Sequence, residues 1–98
     1  MANSMKSARF LVESKLAEVA TGDPTAYFEL GVAFSTGSDG AEIDLIEAHK
    51  WFNLAAVMGH VESATCRAEI AEEMTAREIA DAQREARAWI AQNRRHAA

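Results

Sequence analysis

Residues 26–64 read AYFELGVAFSTGSDGAEIDLIEAHKWFNLAAVMGHVESA. Small residues recur at Ala26, Gly31, Ala48, Ala55, Ala56, Gly59 and Ala64, and large apolar ones stand between them at Leu30, Phe34, Trp51 and Phe52. Two helices that approach closely need small residues at the crossing and bulky ones to fill the space beside it. The stretch therefore predicts a helical hairpin. Its first arm covers residues 24–36, started by Asp23 as N-cap and Pro24 at the first helical position. Residues 37–43 form the loop. Asp44 caps the second arm, with Glu47 three residues on in an imitation of a capping box. That arm runs to about Met58 and closes at Gly59. Gly31, inside the first arm, costs about 1 kcal/mol relative to Ala on propensity alone, so a close approach must compensate for it.

The hairpin resembles the Sel-one-like repeat, a helix-turn-helix relative of the tetratricopeptide repeat. That pattern runs A-x-x-x-L-G-x-x-Y-x-x-G, a loop with a D, then K-A-x-x-W-[YF]-x-x-A-A-x-x-G-[HN]-x-x-A. Ala26, Leu30, Gly31, Gly37, Asp44, Ala48, Trp51, Phe52, Ala55, Ala56, Gly59, His60 and Ala64 match it, and Phe34 stands where Tyr is usual. The loop GSDGAEID is one residue longer than the common form, Gly40-Ala41 replaces its G-V pair, and Glu47 occupies the basic position before Ala48. The resemblance implies an all-α fold of tetratricopeptide type and a non-enzymatic protein–protein interaction role, as adaptor or scaffold in a larger assembly.

Outward from the hairpin, helices are predicted on both sides. Residues 5–20 place Ala8, Leu11, Val12, Leu16 and Val19 on one stripe, ended by Thr21-Gly22. Residues 61–73 place Val61, Ala64, Ala68 and Ala71 on one face. Thr75 with Glu78 is a full capping box, and Met74 with Ile79 a candidate hydrophobic staple. The helix that follows carries Ile79, Ala82, Ala86, Trp89 and Ile90 on one stripe and ends near Asn93. The expected architecture is an antiparallel array of about five helices in a single domain: an N-terminal capping helix over 5–20, the repeat hairpin over 24–60, and C-terminal capping helices over 61–94. One repeat cannot bury both its faces, so caps are required. The segment RAEIAEEMTAREIADAQREARAW resembles the capping tail of short bacterial members of the family.

Ninety-eight residues, 49% of them hydrophobic, suffice for one small core. A net charge of −5 and a pI near 5.1 argue against a nucleic-acid or anionic-membrane surface. The basic cluster Arg94-Arg95-His96 fits the end of a helix, where cations complement the dipole. A single cysteine, Cys66, forms no intrachain disulfide. Glu13, Lys15 and Glu18 interrupt the N-terminal apolar run, so it reads as neither a secretory signal nor a membrane span. The expectation is a cytoplasmic protein without direct membrane insertion.

No constellation predicts catalysis, and no cofactor or metal is expected. His49, His60 and Cys66 follow no common zinc spacing. Cys66 lacks a base and an activating cation. Residues 38–44 lack the alternating oxygens and distal Glu of a calcium loop, and Gly37 and Gly40 follow no strand, as a phosphate loop requires. Ser35, Ser38 and Ser63 have no His–Asp partnership by spacing. On the last helix Arg77, Asp81, Arg84, Glu85 and Arg87 read as a solvated charged face, a second candidate for partner docking. Tyr27, Glu29, Val32 and Ala33 on the first arm, with Asn53 and Val57 on the second, are not demanded by the repeat's packing. They are the candidate partner-binding residues, in a groove beside the first arm. Two other roles fit the same chain: an accessory structural subunit of an enzyme complex, and a regulator sensing a small ligand between helices.

Overall fold

The computed structural model describes Ser14, Leu16, Ala17, Val19 and residues 22–97. Among them there are four helices and no strands: α1 (Pro24–Thr36), α2 (Leu45–Val57), α3 (Val61–Ala71) and α4 (Ala76–Ala97), with a 3₁₀ turn at Ser38–Gly40. Most of the helix expected over 5–20 lies outside the described residues. Of its stripe, Val19 is helical and buried in the core, whereas Leu16 is exposed.

The start and stop signals act as local chemistry dictates. Asp23 accepts a hydrogen bond from the Thr25 amide at 3.0 Å, and Pro24 opens α1. Asp44 Oδ1 accepts from the Glu47 amide at 3.1 Å. The capping box there is only half formed, however. The Asp44 amide donates to the Phe34 carbonyl at 2.8 Å, which ties the loop back to α1. The Glu47 carboxylate turns away instead, accepting from Trp51 Nε1 at 2.9 Å and Lys50 Nζ at 3.1 Å. Glu47 thus anchors the indole that fills the hairpin.

The exit of α2 is a Schellman motif. Gly59 sits at φ 99°, its amide reaches the Ala56 carbonyl and the His60 amide reaches the Ala55 carbonyl, both at 3.0 Å. Thr75 and Glu78 form both bonds of the capping box: Thr75 N to Glu78 Oε1 at 2.8 Å, and Glu78 N to Thr75 Oγ1 at 3.1 Å. The structure departs from expectation at two ends. α3 stops at Ala71, where amides 72–74 bond three residues back and tighten the chain. α4 continues past Asn93 to Ala97.

α2 is the hub: α1, α3 and α4 all pack on it. The core joins Leu30, Tyr27 and Ala26 of α1 with Trp51, Leu54 and Ala55 of α2 and Ala86 of α4, and Phe34, Trp89 and Ile90 are partly buried against it. The close approach at Gly31 is to a ring. A Cβ there would stand 2.5 Å from Phe52 Cδ1 and Cε1, so any side chain at this position would displace the ring.

The face of α3 that carries Val61, Ala64, Ala68 and Ala71 is not its most buried side. Val61 is 83% exposed, Ala68 is exposed, and the fully buried residue is Ser63. Arg67 of α3 reaches across to Asn53 of α2, and Ser63, one turn earlier on α3, is bonded to His60.

Candidate functional site

Three aromatic rings from three helices converge where α1, α2 and α4 meet. Trp51 and Trp89 lie 5.0 Å apart at 73°, Tyr27 and Trp51 5.8 Å apart, and Tyr27 and Trp89 6.4 Å apart at 83°. Edge-on contacts of this kind are favoured by the ring quadrupoles. Trp89 Nε1 donates to Tyr27 Oη at 3.2 Å, so the polar tips satisfy each other. At the edge of this cluster is an apolar pocket of about 230 Å³, lined by Tyr27, Leu54, Val57, Met58, Trp89, Ile90 and Asn93. Val57 is 68% and Met58 39% exposed. The Asn93 amide donates to the Trp89 carbonyl at 2.8 Å, which leaves its carbonyl oxygen as an acceptor beside the pocket.

The six candidate binding residues are dispersed by the fold. Tyr27 and Val57 meet in the pocket wall. Tyr27 is nonetheless buried, and its presumed freedom from packing is corrected: α4 folds back over α1 and α2 and takes Tyr27 into the aromatic cluster. Ala33 is likewise buried and offers no surface. Val32 is half-buried and outside the pocket lining, and Glu29 is half-buried and partnered. Asn53 is on the opposite side of α2, its Oδ1 accepting from Arg67 Nη1. Leu54, Met58, Trp89, Ile90 and Asn93 complete the pocket without having been singled out as binding residues. Their sequence signal was the apolar pair Val57-Met58 just before a helix-ending glycine, alongside the Trp89-Ile90 stripe.

The other side of α2 is polar. His49 is buried at 3% exposure with no hydrogen-bond partner for Nδ1. Burial, and then the Arg67 guanidinium, hold its pKa below the ordinary imidazole value. His60 takes the N-cap position of α3 without a side-chain bond to its backbone. Its ring stacks on Phe28 at 4.6 Å, and Nδ1 is 2.9 Å from Ser63 Oγ. Cys66 is half-buried, and burial, then Glu69 and Glu62, push its thiol pKa up, which opposes thiolate chemistry.

On the charged face of α4 Asp81 pairs with Arg84, and Glu85 lies 3.8 Å from Lys50 of α2. The side chains of Arg94, Arg95 and His96 lie outside the described residues. Among the described residues, no group of three or more His, Cys, Asp or Glu is placed to hold a metal ion, and no helix is long and apolar enough to cross a membrane. Comparison with family models, curated proteins and solved structures finds no match.

Proposed function

We propose that this chain is a non-enzymatic protein–protein interaction module, a minimal Sel-one-like hairpin of tetratricopeptide type, acting as adaptor or scaffold in a cytoplasmic assembly. The observation that carries the reading is the apolar pocket between α1, α2 and α4, with Val57 and Met58 exposed at its rim. Its volume accommodates one or two large apolar side chains of a partner segment. Exposed apolar residues contiguous with a pocket are the form a docking site takes. The solvated charges of α4 would then tune the encounter rate more than the affinity.

The test is site-specific photo-crosslinking in the native cell, with the crosslinker at Val57 and, as control, at Thr65 on the exposed side of α3. The expected outcome is a discrete adduct from Val57 and none from Thr65. With the crosslinker at Asn93, Val57→Asp should abolish the adduct while stability stays within about 0.5 kcal/mol, as for ordinary surface changes. Adducts of equal yield from both positions would move the interface away from the pocket. A small-ligand regulator is the second reading, favoured by the Tyr27 hydroxyl and the Asn93 carbonyl at the pocket wall.

A further inference from the structure

α3 is held differently from the other helices. Among the described elements its extended packing is on α2, with no comparable contact to α1 or α4. A polar bond crosses that contact: Arg67 reaches to Asn53, and one turn before Asn53 lies His49. His49 is buried and its Nδ1 has no partner. A neutral imidazole tolerates this by leaving the unpartnered nitrogen as its unprotonated acceptor. A protonated one does not. It would carry an N–H with no acceptor and a buried positive charge facing the charge of Arg67.

Among the described residues, no carboxylate acts on His49 to compensate. Arg67 is the charge from α3 that acts on His49. On α2 itself Glu47 is engaged by Lys50 and Trp51. On α4 Glu85 pairs with that same Lys50, and on α1 Glu29 has its own partner. His60, the other imidazole of this region, is bonded to Ser63 at the start of α3.

We propose that His49 is an acid-operated latch: protonating its imidazole releases α3 from α2 while α1, α2 and α4 stay packed. Release would uncover the polar side of α2 and leave the aromatic cluster untouched. The direction follows from linkage. The native state disfavours the proton and the opened state does not, so opening is suppressed above the ordinary imidazole value of 6.5. Below that value the opening constant grows, up to tenfold per pH unit, until the lowered native value is reached.

The test is NMR of the full chain between about pH 7.5 and 4.5, reading amide protection factors in α3 against those in α4 together with the His49 ring shifts. Protection in α3 should fall at least tenfold relative to α4, with a midpoint that tracks the His49 ring. His49→Met should flatten the response, and His60→Gln should leave it in place. Parallel loss of protection in α3 and α4 overturns the latch, as does an α3 response that survives His49→Met. Should His49→Met fail to fold, a mismatch between the α3 midpoint and the His49 titration in the unaltered chain overturns it equally.

Discussion

The two sides of α2 are built from different materials. Toward α1 and α4 it presents Trp51, Leu54 and Ala55, which meet Tyr27, Leu30, Ala86 and Trp89 in a cluster whose polar tips are satisfied. Toward α3 it presents Asn53, which is bonded to Arg67, and one turn earlier His49, whose buried Nδ1 is unpartnered. Apolar burial is non-directional and insensitive to pH, and it sums over area. A polar seam contributes little net stability per hydrogen bond and is costly when a partner is lost. The same helix can therefore anchor a firm three-helix core and carry a fourth helix on weaker terms.

The largest effect should come from the aromatic side. Trp51→Ala should cost roughly 3–5 kcal/mol in chemical denaturation, because it empties the centre of the cluster and removes one of the two donors to the Glu47 carboxylate. A loss under about 1 kcal/mol would show that the cluster does not hold the hairpin. Gly31→Leu follows. Helix propensity favours it by up to about 1 kcal/mol, but Phe52 occupies the space of its Cβ, so a net loss of about 1–3 kcal/mol is expected. A raised melting temperature would contradict the contact.

Tyr27→Phe tests the polar tips alone. It removes the acceptor of Trp89 Nε1 and should cost about 0.5–1.5 kcal/mol. Asp81→Asn on α4 should be smallest, a few tenths of a kcal/mol, since its Arg84 partner is largely exposed.

What could be read from the chain divides along the same line. The hairpin, the Asp23 and Asp44 caps, the Gly59 exit and the Thr75–Glu78 box are local signals, and each appears where its chemistry requires. The apolar stripe of α4 was legible too, because Ala82 and Ala86 repeat at one helical turn and both are buried. Long-range placement was less legible. Nothing local to Tyr27 shows that a tryptophan 62 residues later will take its hydroxyl, so it read as free surface. The buried side of α3 was not legible from its apolar face, because its side-chain bond to α2 is the polar one between Arg67 and Asn53. Ser63 is buried while Val61 points outward. The pocket was legible in part: Tyr27 and Val57 stood among its candidates, but its walls belong to three helices and were fixed only by the return of α4.

Native-state hydrogen exchange with increasing denaturant at neutral pH separates the two sides of α2 in a single experiment. Amides of α1, α2 and α4 should exchange through one global opening with a common free energy and denaturant slope. Those in the middle of α3, from Thr65 to Glu69, should exchange through a smaller opening of distinctly lower free energy and shallower slope. Coincident free energies and slopes for all four helices would contradict the division of α2 into a firm aromatic side and a weaker polar one.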